Sequence, residues 1–259
     1  MAKEKSNILL TILKFIIILL IIISGFIYFK YWPTISSLYS DATTKVNNST
    51  VDTFNTNKSN NITSLSNKDP LYLKSALIPQ DIKNAFISIE DRNFYKHGGI
   101  SIEAIFRSIY SLSTNDWKIT EGGSTITQQL SRNVFLNFDK NYERKLEEMF
   151  IAVKLEQKFT KDQILEFYIN NIYFSNNAYG INTAAKKFFN TDCSKLNLSQ
   201  ICFLAAIPND PEYYDPINHV DNTLQRRNLI LEKMKEYGYI SDEQYQTAIN
   251  YKIILTLGK

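Results

Sequence analysis

The adjacent acidic residues Glu90 and Asp91 are candidates for acid–base chemistry. They follow an apolar stretch with helical spacing, and an aromatic residue, a histidine and a glycine come next at Phe94, His97 and Gly99. A helix that ends here would carry two acids to a turn, where one of them could serve as a general acid or base. A solvated helix end has the same pattern, so this stretch alone leaves both interpretations open.

A second polar stretch, residues 122–132, begins with a pair of glycines. Ser124 or Thr125 could cap a helix there, and the first backbone N–H groups of that helix would then be available to an anion. Amide and guanidinium side chains follow within about one helical turn of one another, namely Gln128, Gln129 and Arg132. Such groups donate to phosphate or sugar oxygens. An ordinary capped helix with a polar face explains the same residues equally well.

A third stretch, residues 140–148, alternates bases and acids ahead of another apolar helix pattern. Arg144 and Lys145 stand four and three residues before Glu148, so the three side chains share one face of a helix. With Lys140 they would surround a carboxylate with cations, an arrangement that favours the charged form of an acid. An exposed lattice of ion pairs has the same pattern and would contribute only tenths of a kcal/mol per pair.

Helices are the elements that must position these stretches, because apolar residues recur at three- and four-residue spacing along most of the chain beyond residue 70. The predicted helices cover residues 80–90, 102–112, 125–135, 143–159, 162–173, 198–207, 225–237 and 242–251. Capping boxes at Thr160 and Ser241 mark two of the starts. Arg226 and Arg227 are expected to form a structural edge of ion pairs. The predicted fold class is mostly α.

The amino-terminal region contains an apolar segment at residues 8–29, almost wholly Ile, Leu and Phe. A membrane span needs about 20 apolar residues, and this segment is long enough. A cleaved signal peptide, which has a shorter apolar region, is the alternative. More lysines lie towards the amino-terminal end of the segment than follow it, so the positive-inside bias predicts that residues 1–7 are cytoplasmic and the bulk of the chain lies outside.

Residues 30–69 are rich in Asn, Ser and Thr, a composition that buries little apolar surface, and we expect a flexible stalk there. The folded domain is then predicted over residues 70–259. The net charge of +3 comes without a basic stripe interleaved with aromatics, so no nucleic acid partner is expected. Cys193 and Cys202 lack metal-ligand spacing, and Cys202, in an apolar run, is expected to be a buried free thiol.

Taken in order, the three polar stretches resemble glycosyltransferase family 51, the peptidoglycan transglycosylase domain of penicillin-binding proteins. Residues 90–99 match its first motif as EDxxFxxHxG, residues 123–129 its second as GSTITQQ, and residues 144–148 its third as RKxxE. Residues 164–170 and 204–211 are similar to two further blocks. The resemblance implies a lysozyme-like helical transglycosylase domain with a smaller membrane-proximal lobe, preceded by the transmembrane helix. Apolar residues between the first two motifs, such as Phe106 and Trp117, would build the lobe or pack in the core.

The resemblance also implies a reaction, the polymerisation of lipid II into β-1,4 glycan strands with inversion and release of undecaprenyl pyrophosphate. Glu90 corresponds to the general base, and Glu148 to a second glutamate that holds cations or a divalent ion at the pyrophosphate. The residues that correspond to substrate-binding positions are Asp91, Ser124, Thr125, Gln128, Gln129, Arg132, Lys140, Arg144 and Lys145. Support of the Glu90 turn is expected from Phe94, His97 and Gly99, with Asp91 closer to support than to direct chemistry.

No cofactor is obligatory in this scheme, although a divalent cation, Mg or Mn, is compatible with Glu148. The implied partners are lipid II, the growing lipid-linked glycan, the membrane and other cell-wall synthesis proteins. Two departures from the family pattern stand out. Arg132 replaces the usual lysine, which exchanges a point charge for a planar fork, and residues 175–177 are Ser-Asn-Asn where a glycine commonly follows the aromatic residue.

The sequence contains no Ser-x-x-Lys, so the monofunctional membrane-anchored transglycosylase, without transpeptidase activity, is the expected type. Two other functions stay open. A lysozyme-like glycan-cleaving enzyme would also use paired carboxylates, although it needs no cations for a pyrophosphate. An inactive membrane-anchored scaffold of cell-wall assembly is the other, although both glutamates and most cations of the motifs are present.

Overall fold

The structure is a computed structural model and describes residues 2–55, 71–107, 123–136 and 141–257. The side chains of residues 2–16, 19, 21–23 and 26 are not included in that description. Helices dominate the described residues. In chain order they are α1 (Ala2–Asn48), α2 (Gln80–Glu90), α3 (102–107), α4 (Ile126–Phe135), α5 (Tyr142–Lys158), α6 (Lys161–Asn171), α7 (Ile181–Phe189), α8 (Leu198–Ala206), α9 (Val220–Glu236) and α10 (Asp242–Ile249). The β pairing within these residues is one isolated bridge between Tyr173 and Tyr179. The predicted mostly α class is confirmed, and the lysozyme-like arrangement stays a prediction.

Local signals account for where several helices begin. Capping boxes open α6 at Thr160 and α10 at Ser241, as predicted, because each side-chain oxygen accepts the N–H of the third helical residue. The same device opens α4 at Thr125 and α8 at Asn197. The sequence did not predict α7. Its residues Ala184, Ala185 and Phe188 are fully buried.

Two groups of helices enclose the core and meet where the candidate site lies. The helices α2, α8 and α9 pack against one another, and α4 packs on both α5 and α6. The rings of Phe86 on α2 and Tyr168 on α6 join the two groups, edge to face, with centroids 5.7 Å apart. The last residue of α2 is Glu90, so the predicted base stands at the boundary between the groups.

The predicted flexible stalk at residues 30–69 is wrong for residues 30–55. The helix α1 continues to Asn48 and packs along α5, with Ala42 and Val46 buried. Composition misled the prediction because a few apolar residues at helical spacing are enough to bury one face of a helix. Residues 56–69 of the predicted stalk lie outside the described residues.

Polar contacts hold the end of α1 in place. The Lys158 ammonium group on α5 donates to the carbonyl oxygens of Val46, Asn47 and Ser49 at 2.8, 2.9 and 2.6 Å. The carbonyls of Val46 and Asn47 are among the last four of α1, which have no partners within the helix. A few residues later the Phe54 ring stacks on Phe167, with centroids 4.0 Å apart, so the segment after α1 belongs to the core.

The membrane-related predictions fall largely outside what the structure describes. Among the described residues, no helix is both long and apolar enough to cross a membrane. Most side chains of the predicted span at residues 8–29 are not among them, so the span and its orientation stay predictions. The expected lobe is described only at residues 102–107, where Ile102 and Phe106 are each 68% exposed. Trp117 lies outside the described residues.

The loop at residues 175–177 replaces the expected glycine with residues that adopt left-handed backbone. Ser175, Asn176 and Asn177 have φ values of 68°, 49° and 60°, a region that asparagine tolerates better than most residues. Asp215 accepts hydrogen bonds from the Ser175 hydroxyl at 2.9 Å and the Asn176 amide at 3.0 Å. Burial by itself raises the pKa of Asp215, but these bonds and those from the N–H groups of the loop at residues 217–218 hold it below its usual value. The loop is therefore built without glycine.

Both cysteines are free and buried. Burial raises the pKa of the Cys193 thiol to about 11 and also raises that of Cys202. The Cys202 sulfur lies 3.5 Å from the sulfur of Met234. The prediction of a buried free thiol at Cys202 is confirmed.

Candidate active site

A cleft of about 710 Å³ opens at the carboxyl end of α2. Residues from the end of α2, from α4 and from α9 line it. Its lining carries five cationic side chains, Arg92, Arg107, Arg132, Arg226 and Lys233, against three acidic ones, Glu90, Asp91 and Glu236. A concave surface with excess positive charge attracts an anionic ligand.

Glu90 stands on the wall of this cleft with its side chain 8% exposed. Its Oε1 atom lies 3.1 Å from Nη2 of Arg226, and its Oε2 atom accepts a hydrogen bond of 2.9 Å from Nε2 of Gln129. Buried apolar residues on α2, among them Ile82 and Phe86, anchor the helix that presents it. A carboxylate with both oxygens held in this way can accept a proton from a hydroxyl group bound in the cleft.

Arg226 is the site residue that the sequence assigned to a different role. Arg227 is structural, but the predicted ion pairs are not what holds it: it is buried and donates to neutral oxygens, the Ser199 hydroxyl at 2.5 Å and the Ala248 carbonyl at 3.0 Å. Arg226 instead pairs with Glu90 and lies over the ring of Tyr214 at 5.2 Å. Neighbouring residues of a helix point about 100° apart. Two adjacent arginines can therefore contact different elements, but this spacing does not indicate which of them meets Glu90.

Asp91 joins the end of α2 to the start of α4. Its Oδ2 atom lies 2.8 Å from Nε2 of His97 and accepts the N–H of Ile126 at 3.1 Å. Because Nδ1 of His97 accepts the N–H of Gly99 at 3.2 Å, the proton of the neutral imidazole sits on Nε2 and is donated to Asp91. The carboxylate also lies at the positive end of the α4 dipole. Asp91 and His97 thus connect the turn after α2 to the start of α4, and their supporting role stays a prediction.

Several polar groups at the start of α4 are hydrogen-bonded within the protein. The Thr125 hydroxyl accepts the N–H of Gln128 at 3.1 Å and donates to the Gly99 carbonyl at 2.7 Å. Since Asp91 takes the N–H of Ile126, two of the first N–H groups of α4 already have acceptors. Thr125 and Gln128 are buried, whereas Ser124, Gln129 and Arg132 line the cleft. Of the predicted binding residues on and before α4, some are therefore buried and stabilise the start of the helix, and the others face the cleft.

Gly99 brings this turn into close contact with α5. Its φ is +96°, and a Cβ atom built on it would lie 2.7 Å from the carbonyl oxygen of Ala152. Phe94, fully buried, packs in the same turn. Glycine is required here by both the backbone conformation and the space.

We expect Gly99→Ala to lower the free energy of unfolding by about 1–3 kcal/mol, because alanine would be strained at a positive φ and would press on α5. Denaturant unfolding followed by circular dichroism measures the change. Gly98→Ala is the matched control, since a Cβ at Gly98 meets nothing within 4 Å. Equal losses for the two variants would contradict this account of Gly99.

Glu148 forms a second polar cluster beside the cleft. It is fully buried on α5, where Oε2 accepts from Nη1 of Arg144 at 2.9 Å and Oε1 contacts the ammonium group of Lys145. Lys145 also donates to the Ser124 hydroxyl at 2.9 Å, and Ser124 lines the cleft. An exposed lattice of ion pairs is therefore the wrong interpretation for Glu148. Lys140, expected in the same cluster, lies outside the described residues.

These partners decide whether a divalent cation fits at Glu148. Both oxygens already contact cationic side chains, and the amide of Gln128 lies 3.5 Å from Oε1. Within the described part of the chain, no group of three or more His, Cys, Asp or Glu side chains could hold a metal ion. The arrangement around Glu148 therefore does not suit a divalent cation.

Comparison with known proteins agrees with the motifs. The transglycosylase family model matches residues 57–235. Penicillin-binding protein 4 of Bacillus subtilis (strain 168) is 41% identical over 182 residues, which cover 70% of this chain and 29% of that protein. Penicillin-binding protein 1A of Aquifex aeolicus (strain VF5) is 44% identical over 179 residues, covering 69% of this chain and 24% of that protein.

A third relative extends the match towards the amino terminus. Penicillin-binding protein 1A of Streptococcus pneumoniae (strain ATCC BAA-255 / R6) is 36% identical over 242 residues, or 92% of this chain and 33% of that protein. The chain thus spans a third or less of the length of these relatives. The family model covers more than half of the chain, including all three motifs around the cleft. The chain therefore belongs to the transglycosylase family, the peptidoglycan transglycosylases of glycosyltransferase family 51.

Proposed function

We propose that this protein polymerises lipid II into β-1,4 glycan strands and releases undecaprenyl pyrophosphate, with inversion at the anomeric carbon. The observation that carries the proposal is the Glu90 carboxylate, held between Arg226 and Gln129 on the wall of a cleft with excess positive charge. A base and a cationic surface are the two requirements for attack by a hydroxyl group on a sugar pyrophosphate.

In the proposed reaction, Glu90 removes the proton from the 4-hydroxyl of the acceptor sugar as that oxygen attacks the anomeric carbon of the donor. The bond from this carbon to the pyrophosphate oxygen breaks, and the pyrophosphate leaves with its negative charge. Arg132 in the cleft and Lys145 beside it supply positive charge that does not have to reorganise during the reaction. Glu148 keeps Arg144 and Lys145 in position.

Asp91 argues against the glycan-cleaving alternative. A hydrolase of that kind uses two carboxyl groups at the scissile bond. The oxygens of Asp91 are engaged by His97 and by the N–H of Ile126. Asp91 is therefore tied to the turn after α2 and to the start of α4, and the cations of the cleft suit an anionic leaving group better than a neutral glycan.

The proposal includes the membrane. Both substrates carry a lipid chain, so the enzyme must work at the bilayer surface. We propose that residues 8–29 span the membrane, that residues 1–7 are cytoplasmic and that the catalytic domain lies outside the cell membrane. The exposed Ile102 and Phe106 would then face the membrane interface. No Ser-x-x-Lys occurs in these 259 residues, so the proposal for them concerns glycan polymerisation alone.

The purified full chain in detergent tests the proposal when it is incubated separately with lipid II and with finished glycan strands, with and without chelator. We expect chain growth from lipid II, no shortening of finished strands, and little effect of the chelator, because the leaving group meets protein cations. Gel separation of labelled products measures each outcome. Cleavage of finished strands alone would indicate the hydrolase, and inactivity on both substrates would indicate a scaffold.

A further inference from the structure

A chain of hydrogen bonds runs behind Glu90 into the protein core. The hydroxyl group of Tyr168 on α6 donates to Oε1 of Gln129 at 3.0 Å, and Nε2 of Gln129 donates to Glu90 at 2.9 Å. Arg226 contacts the other oxygen of the carboxylate at 3.1 Å. Four side chains from α6, α4, α2 and α9 are thereby connected in one network.

The direction of these bonds follows from the chemistry of the groups. A carboxylate only accepts hydrogen bonds, so the amide of Gln129 must turn its NH₂ group towards Glu90. Its carbonyl oxygen then faces Tyr168, and that oxygen requires a donor. Because burial raises the pKa of Tyr168 well above its usual value, the hydroxyl group keeps its proton and serves as the donor.

Packing by itself does not explain the hydroxyl group. Tyr168 is fully buried, and its ring packs against Phe86, a contact that phenylalanine would also make. A buried hydroxyl group that lacks an acceptor destabilises the fold. The Tyr168 hydroxyl therefore needs an acceptor in the core. The partner is a residue of the cleft, Gln129, whose other end touches the predicted base.

We propose that Tyr168 is a positioning residue for the general base. It fixes the amide of Gln129 in the one orientation that donates to Glu90, and with Arg226 it holds the carboxylate in place. The catalytic consequence rests on the proposed function, but the orientation of the amide does not.

Tyr168→Phe tests the proposal because it removes the hydroxyl group and keeps the ring. Without its donor, the amide of Gln129 can rotate and present its oxygen to Glu90, which repels the carboxylate. We expect kcat to fall about tenfold or more, because small displacements of a base slow proton transfer strongly. KM should change much less, since the side chains that line the cleft are all retained.

Hydrogen exchange of the Gln129 side-chain amide supplies a readout that needs no activity. In protein labelled with ¹⁵N in glutamine side chains, the Gln129 signal is assigned by its loss in Gln129→Met. We expect Tyr168→Phe to accelerate exchange of these amide protons about tenfold or more, because they lose a fixed buried acceptor. Exchange at the wild-type rate would overturn the proposal whatever the activity.

Tyr72→Phe is the matched control. It removes a hydroxyl group that donates to Glu166 at 2.8 Å, away from the residues that line the cleft. We expect it to leave both the Gln129 exchange rate and kcat close to those of the wild type. If Tyr72→Phe and Tyr168→Phe lower kcat equally, the effect of Tyr168 is general destabilisation and the positioning role is wrong.

A double-mutant cycle separates an effect of Tyr168→Phe through the Gln129 amide from a general loss of stability. Gln129→Met keeps the approximate shape of the side chain and removes the amide. If Tyr168 acts through this amide, adding Tyr168→Phe to Gln129→Met lowers kcat no further, whereas independent effects would multiply. A wild-type protein that does not polymerise lipid II would overturn the proposed function, and the exchange experiment would still decide the orientation of the amide.

Discussion

Glu90→Gln should abolish nearly all polymerisation of lipid II while the fold and lipid II binding are retained. We expect kcat to fall by about 10²- to 10⁴-fold, the usual contribution of a general base. Glutamine has the shape of glutamate but a single acceptor oxygen, so it can keep only one of the contacts from Arg226 and Gln129. It cannot take the proton from the attacking hydroxyl group. Product formation from labelled lipid II and separate binding measurements distinguish the loss of chemistry from the loss of affinity.

Glu156→Gln is a matched control for Glu90→Gln. The Glu156 side chain is also 8% exposed, pairs with Lys161 at 2.7 Å and accepts from the Thr127 hydroxyl at 2.6 Å. It therefore resembles Glu90 in burial and in partners but does not line the cleft. We expect this variant to lose stability and to keep most of its kcat. Polymerisation by Glu90→Gln at the wild-type rate would remove Glu90 from the role of base.

Glu148→Gln is expected to have the largest effect on stability. The carboxylate is fully buried between Arg144, whose side chain is 14% exposed, and Lys145, which is 40% exposed. Removing its charge leaves two neighbouring cations without their counter-ion, and breaking a buried pair costs about 3–5 kcal/mol. We expect a loss towards the lower end of this range, since water reaches Lys145, and a parallel loss of polymerisation. Denaturant unfolding measures the free energy.

The adjacent residue provides the comparison for Glu148. Glu147 pairs with Lys45 of α1 at 2.5 Å, and the Lys45 side chain is 39% exposed. Glu147→Gln should therefore cost about 1 kcal/mol or less. In a second comparison, Arg144→Gln added to Glu148→Gln should restore part of the lost stability because one unpaired charge disappears. If Glu147→Gln and Glu148→Gln lower the free energy of unfolding equally, the buried cluster around Glu148 does not stabilise the fold more than a partly exposed ion pair does.

The helices and their caps were largely predictable. Apolar spacing of three and four residues predicted α2, α4, α5, α6, α8, α9 and α10, and the capping boxes predicted the starts of α6 and α10. These signals are local, since a cap or a helical face depends on residues within a few positions of one another. The stretch at residues 30–55 was not predictable from composition, because its docking depends on a distant helix, α5.

In the candidate site, too, the local features were predictable and the contacts between distant elements were not. The sequence by itself determined that carboxylates and cations occur at spacings typical of the transglycosylase motifs, and it placed Glu90 at the end of a helix. The tertiary structure alone decided that Arg226, 136 residues away, pairs with Glu90, and that Gln129 and Tyr168 stand behind it. Periodicity tells which face of a helix is buried, but it does not tell which element covers that face. The partner of a buried polar group therefore becomes known only when the helices are packed together.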